Sequence, residues 1–218
     1  MILRKALYKA TFLKKAGFSQ KFLLEYFGKI MVITYFGGGS FRVQSGEISL
    51  LIDSENNRLK ADLSLRTIAS ANSLLSEERS EISFPGEYEV KGIDVKGIDV
   101  PEESTEKLIK TIYLITWEEI KIAFLGQISK QPSAEIIEKL NEPNILFLPV
   151  GGGNVLEPEI AAKVAKMLEP AIIIPSFYKN PSEFLKAMGQ KMDVQEKIVL
   201  KKKDLLEEKN KVVVLKQS

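Results

Sequence analysis

The spacing of apolar residues changes character part-way along this chain, and that change restricts the folds open to it. From Met31 onward, short runs rich in β-branched and aromatic residues follow one another at residues 32–36, 40–43, 48–52 and 63–68. Gly37-Gly38-Gly39 and Ser45-Gly46 punctuate them, and Arg66 interrupts the last. Runs of this kind between turn residues read as strands. Ile82-Ser83-Phe84 leads into Pro85-Gly86, a strong turn signal, and residues 111–116 and 120–125 form a hairpin pattern turning through Trp117-Glu118-Glu119.

Beyond that hairpin the texture alternates. Residues 132–140 predict a helix and 145–148 a strand. Residues 158–168 predict a helix with Ile160, Val164 and Leu168 on one stripe and Pro158 near its first turn, and residues 171–174 predict a strand. Asn180-Pro181-Ser182-Glu183 has the order of an N-cap, a proline at N1 and a capping acid, and opens a helix to about Met188. Residues 197–200 and 212–215 are late strands. Strands first, then strand and helix in turn, is the pattern of sheets covered by helices. No linker rich in Pro, Gly or Ser divides residues 31–218, which read as one domain.

Val90-Lys91-Gly92-Ile93-Asp94 is repeated at once as Val95-Lys96-Gly97-Ile98-Asp99. An odd period turns the same side chain to opposite faces of a strand, so a bulge or bend near Gly97 is expected.

Residues 1–30 differ from the rest. They carry seven of the 31 basic residues but a single acid, Glu25, so the remainder is slightly acidic. Leu3, Leu7, Ala10 and Leu13, then Phe18, Phe22 and Tyr26, lie at helical spacings around Gly17. The segment reads as a basic amphipathic helical extension. It is packed on the body, flexible, or laid on an anionic surface such as membrane or nucleic acid. Met31 directly precedes the first strand, so translation starting there is an alternative. The segment has neither the length of a transmembrane run nor a signal-peptide core, and a cytoplasmic location is the expectation. By net charge the body does not resemble a nucleic-acid binder.

Composition then restricts the chemistry. The 218 residues contain no cysteine and no histidine. There is no thiolate nucleophile, no Ser-His-Asp triad and no imidazole or thiolate metal ligand. A metal would need oxygen ligands, which favours magnesium, calcium or manganese. A general base would have to be Asp, Glu, Lys or Tyr.

Four blocks carry a resemblance. Tyr35-Phe36-Gly37-Gly38-Gly39-Ser40-Phe41 with Leu51-Ile52-Asp53 resembles the opening of the metallo-β-lactamase superfamily, in its small branch related to ascorbate-phosphate lactonases. Pro85-Gly86-Glu87-Tyr88-Glu89-Val90-Lys91-Gly92 is similar to that branch's PGEYE-type motif. Leu148-Pro149-Val150-Gly151-Gly152-Gly153 resembles its LPVGGG block, and Ile174-Pro175-Ser176-Phe177-Tyr178 its IPxHY block. The four occur in order over roughly residues 31–215. The resemblance implies a four-layer αββα sandwich and a metal-dependent hydrolase.

The metal positions that the resemblance implies are occupied by other residues. Gly38 stands where the Gly-His turn has histidine. In the stretch aligned with the HxHxDH signature, Ile68, Ser70 and Ser73 replace histidines and Asn72 replaces the aspartate. Gln127 replaces the later bridging aspartate, and Phe177 the last histidine. Ile and Phe cannot coordinate a metal, and neutral hydroxyls and amides hold zinc poorly. The family's chemistry needs a metal to generate hydroxide near neutral pH. No metal, no cofactor and no ordinary catalysis are therefore expected. The chain reads as a degenerate homologue with a binding or scaffolding role, its partner unknown and self-association left open. The alternative is a residual phosphoesterase- or lactonase-type hydrolase with an oxygen-ligand metal or a relocated site, for which Asp53 and Glu87 would have to converge.

Three further features each have two readings. Gly151-Gly152-Gly153 between strand and helix reads as a tight turn, with a ligand-contacting loop as the alternative; Glu157 and Glu159 at the helix start would repel an anion. Glu87 and Glu89 share one strand face, which suits a paired-carboxylate or magnesium site or, as the expected reading, a solvated edge strand. Ser70, Asn72, Ser73 and Gln127 either form a neutral polar pocket or belong to a collapsed site filled by Ile68 and Phe177. Collapse is the expectation. Lys201-Lys202-Lys203 reads as a solvated turn or surface face.

Overall fold

The computed structural model describes residues 29–56, 58–73 and 81–218, so the expected N-terminal helix lies outside the described residues. The first strands are β1 (Met31–Gly37), β2 (Ser40–Ser45), β3 (Ile48–Ile52), β4 (Leu63–Leu65) and β5 (Ile68–Ser70). A 3-10 turn at Ala71–Ser73 follows, then β6 (Glu81–Ile82), β7 (Gly86–Val90), β8 (Ile93–Asp99), β9 (Leu108–Trp117) and β10 (Ile120–Phe124). The alternating half comprises α1 (Ala134–Leu140), β11 (Ile145–Pro149), α2 (Pro158–Leu168), β12 (Ile172–Ser176) and α3 (Ser182–Met188). Short strands β13 (Val194–Gln195), β14 (Ile198–Leu200), β15 (Lys211–Val212) and β16 (Val214–Leu215) finish the chain.

Two sheets result. The first runs β14-β1-β2-β3-β4-β6 and the second β15-β12-β11-β10-β9-β8-β7, with β5 also pairing β9. Alternation in β1 and β2 turns Ile33, Tyr35, Phe41 and Val43 inward. They meet Tyr113, Ile115, Phe124 and Phe147 of the second sheet in one core. Phe41 stands edge-on to Phe147 at 4.6 Å between centroids, and Phe147 stacks on Phe124 at 4.1 Å.

The second sheet is covered on its other face too. Ile136 and Leu140 of α1, Val164 and Leu168 of α2, and Phe184 and Leu185 of α3 pack on Ile112, Leu146, Leu148 and Ile173. This explains why β11 and β12 are buried at every position rather than alternately. Of the four expected layers the described residues supply three, helices–sheet–sheet, within the expected mixed α/β fold.

Several local expectations need correction. The 63–68 run is two strands. Arg66 and Thr67 break it, and β5 leaves the first sheet to pair antiparallel with β9. The five-residue repeat needs no bulge, for β8 pairs with β9 in unbroken register from Asp94 to Asp99. Ile93 belongs to the core between sheets and Ile98 to the helical side, so the odd period suits a strand buried on both faces. Helix α3 starts one residue later than expected. Pro181 is its N-cap, and Asn180 Oδ1 accepts from the Ser182 N–H at 3.1 Å and hydroxyl at 2.5 Å. The late 212–215 strand is split into β15 and β16. The 201–203 lysines open a 3-10 turn at Lys202–Leu205, where Lys202 pairs with Glu119.

Candidate functional site

The carboxyl ends of β1, β3, β4, β10 and β12 open onto one cleft of about 510 Å³. Crevices at strand carboxyl ends are habitual ligand sites in α/β folds, because loops there converge without disturbing the sheet. Its walls include Phe36, Gly38, Asp53, Glu55, Arg66, Thr67, Ile68, Gln127 and Phe177, with Gln217 at its margin.

Asp53 follows β3 directly and has a left-handed backbone, φ 44°. Its N–H donates to the Leu65 carbonyl at 2.9 Å. Its carboxylate accepts the Thr67 N–H at 2.7 Å and the Thr67 hydroxyl at 2.5 Å. The broken strand makes this possible, since the turn between β4 and β5 carries Thr67 across the end of β3. Gly126 closes over Thr67, where a Cβ would lie only 2.4 Å from the threonine Cβ. Burial pushes the Asp53 carboxyl up to about 6, against the two bonds from Thr67 and the nearby Arg66 charge. Arg66 itself turns to Glu81, Nε to Oε2 at 3.2 Å, and its carbonyl accepts from the Tyr113 hydroxyl.

Gln127 is placed by a network behind it. The Glu103 carboxylate accepts from Lys110 Nζ at 2.8 Å and from the N–H groups of Ser129 and Lys130 at 2.9 and 2.8 Å. Lys110 also donates to the Gln127 carbonyl at 2.8 Å. Burial acts to raise the Glu103 carboxyl, but Lys110 and the loop donors outweigh it and hold it below the ordinary range.

Phe177 also has a left-handed backbone, φ 53°, uncommon for a bulky side chain. Its N–H donates to the Gly38 carbonyl at 2.9 Å. Its ring lies on Gly39, where a Cβ would come 2.1 Å from ring Cζ, and its carbonyl faces Gly151, where a Cβ would come within 1.9 Å. Two glycines therefore make room for this one residue.

The structure brings Gly38, Asp53, Ile68, Gln127 and Phe177 together in the cleft and leaves the other candidates outside it. Ser70 and Asn72 are exposed and do not line it, because in β5 Ala69 faces inward and Ser70 outward. The Asn72 N–H instead donates to the Ser70 hydroxyl at 3.4 Å. The backbone of Ser73 ends the 3-10 turn, and its side chain is outside what is described. Ile68 and Phe177 line the space without filling it, which overturns the expected collapse. Glu87 is exposed on β7 near Lys96, away from Asp53, so the two carboxylates do not converge.

Gly151, Gly152 and Gly153 form a turn outside the cleft wall. The Gly152 N–H bonds to the Leu156 carbonyl, and the Gly153 N–H to the Glu157 carboxylate at 2.9 Å. A side chain of this chain already takes the place an anion would need. Sequence reasoning missed Thr67, Glu55 and Phe36. The break in apolar pattern at Arg66 was the visible signal for the first.

The donor residues that line the cleft are the carboxylates Asp53 and Glu55, the amides Asn56, Gln127 and Gln217 and the hydroxyls Ser40, Thr67 and Ser218, with no imidazole in the whole sequence. Both Asp53 oxygens are already bonded to Thr67, and among the described residues no three His, Cys, Asp or Glu side chains form a group. This set does not fit a zinc centre of the usual three or four N, S or O ligands.

Comparison with known proteins agrees with the framework. A β-lactamase superfamily domain model matches residues 32–176. A UPF0173 metal-dependent hydrolase of Thermococcus onnurineus is 31% identical over 103 residues, covering 44% of this chain and 45% of the relative. One of Methanopyrus kandleri is 25% identical over 125 residues, covering 50% and 54%. The matches thus span about half the length of these curated relatives. Among solved structures, a protein described as a Zn-dependent hydrolase of the metallo-β-lactamase superfamily from Thermotoga maritima superposes with a TM-score of 0.69 at 23% identity, covering 85% of this chain and 98% of that one. A metallo hydrolase from Ignicoccus hospitalis gives 0.62 at 19%, covering 79% and 99%. At those identities the likeness concerns the fold. With the domain model covering most of the chain, the protein belongs to the β-lactamase superfamily.

Proposed function

We propose that this chain is a metallo-β-lactamase-fold protein in which metal-dependent hydrolysis has given way to non-catalytic binding of a small ligand in the old cleft. One observation supports the reading: the cleft is open at about 510 Å³ and is lined by Gly38, Ile68, Gln127 and Phe177, residues that the sequence resemblance sets at metal-ligand positions. A scaffold with no ligand has no use for an open cleft walled by two residues of left-handed backbone, Asp53 and Phe177. The hydrolase alternative needed Asp53 and Glu87 to converge and loses that support. A cytoplasmic location belongs to the same reading; no helix among the described residues is long and apolar enough to cross a membrane.

Metal analysis of the full chain, purified without chelating resin, tests this. The expected result is zinc, manganese and iron well below one per chain, and no turnover of phosphoesters or lactones when zinc, manganese or magnesium is added. One or two tightly held metal ions per chain with metal-dependent turnover would overturn it.

A further inference from the structure

We propose that the ligand of this cleft is an organic cation, an alkylammonium or guanidinium compound, held by Asp53 and Glu55 against the Phe177 ring. The assignment rests on the ligand-binding reading above and gives it a chemical class.

Charge is the first argument. Asp53, Glu55 and Arg66 are the charged side chains that line the cleft. The turn between β1 and β2, the Gln127 loop and the Phe177 loop bring none. Arg66 is already committed to Glu81 through Nε at 3.2 Å. Among the described residues neither Asp53 nor Glu55 belongs to an ion pair. The cleft lining therefore sets two carboxylates against one guanidinium, and Glu81 outside the lining already shares that guanidinium. A half-buried carboxylate in that situation favours a ligand that brings a positive charge.

Shape and apolar surface decide between an inorganic and an organic cation. About 510 Å³ is the volume of a small-molecule pocket rather than of a single ion. Phe36, Leu59, Ile68 and Phe177 offer carbon surface that a hydrated metal ion would leave unused. Aromatic rings attract cations through their faces, and most strongly where water is excluded. The Asp53 oxygens have one lone pair each engaged by Thr67, which leaves acceptor capacity for N–H donors but not the full oxygen shell that a hard metal ion requires. The amide of Gln127 lies at the same wall and accepts or donates to a polar end group.

Titration calorimetry on the full chain near neutral pH tests the class with probes of equal size: butylammonium, choline and butylguanidinium against butyrate and butanol. Saturable 1:1 binding is expected for at least one cation and for neither comparator. Asp53→Asn is expected to weaken it about tenfold, and Glu55→Gln, on an exposed residue that does not threaten folding, about threefold. Affinity should also fall as the pH is lowered through about 6, where Asp53 takes up a proton. Cation binding unchanged in both variants would overturn the assignment. Binding of butyrate or butanol without the cations would overturn the class and leave the ligand-binding reading intact. Binding of none of the probes would overturn the class, while tightly held metal with metal-dependent turnover would overturn the functional reading and, with it, the class.

Discussion

The carboxylate of Asp53 takes both hydrogen bonds that Thr67 can give it, the N–H at 2.7 Å and the hydroxyl at 2.5 Å. This clamp joins the end of β3 to the turn between β4 and β5, and it leaves a charge in a poorly hydrated wall. Burial raises the carboxyl from 3.8 to about 6. A raised carboxyl favours the native state most when protonated. Its contribution is complete below the unfolded value near pH 4 and is lost as pH rises through about 6. Asp53→Asn, which keeps an acceptor for the N–H and tolerates the left-handed backbone, should therefore stabilise the protein at pH 8 by up to about 2–3 kcal/mol. That gain should vanish near pH 4. Urea unfolding of both proteins across this range checks it; an offset independent of pH contradicts it.

Glu103 shows the opposite sign. Its carboxyl is held low by Lys110 and the Ser129 and Lys130 donors, so its contribution is present above the ordinary glutamate range and lost as pH falls. The Glu103 side chain is only 4% exposed. Glu103→Gln leaves Lys110 without its counter-charge and should cost about 2–3 kcal/mol at pH 7. Hydrogen exchange should quicken in residues 126–130 more than in β9. Uniform quickening across the chain would show that the network does not hold this loop in particular.

Gly151 has no room for a side chain, because a Cβ there would lie 1.9 Å from the backbone carbonyl oxygen of Phe177. Gly151→Ala should cost about 2–3 kcal/mol or more and displace the Phe177 loop. Gly153→Ala meets no atom within 4 Å but has φ of 68°, so its cost should be near 1 kcal/mol. Denaturant midpoints for the pair check the ranking. Equal costs would contradict the close approach.

Glu118 and Glu119 form the β9–β10 turn with φ of 53° and 59°, a left-handed pair that favours Asn-Gly. Lys29 lies 2.7 Å from Glu118, and Lys202 pairs with Glu119. Exposed ion pairs contribute little, so replacing Glu118-Glu119 by Asn-Gly should raise the thermal midpoint by a few degrees. A lowered midpoint in a thermal scan would mean that the two ion pairs outweigh the backbone strain.

Much of the fold is legible in short windows. The β-branched runs, the hairpin at Trp117, the apolar stripe of α2 and the β-α alternation all depend on neighbours within a few residues, and each is found close to its expected place. The candidate site is legible only in part. Gly38, Asp53, Ile68, Gln127 and Phe177 meet as their motif order suggests, but Ser70 and Asn72 do not. The turn at Arg66 and Thr67 sends β5 to the other sheet, and strand alternation then faces Ser70 to water.

The sequence by itself determined the period of each element and the absence of any imidazole or thiol, since both are properties of residue order and type. Whether the cleft is open or closed follows only from the tertiary structure. It depends on where the Phe177 ring comes to rest, and the ring rests on Gly39, a residue 138 positions away. It also depends on Thr67 rather than a family motif residue receiving Asp53. Contacts of that range follow from how two sheets pack, and no local periodicity encodes them.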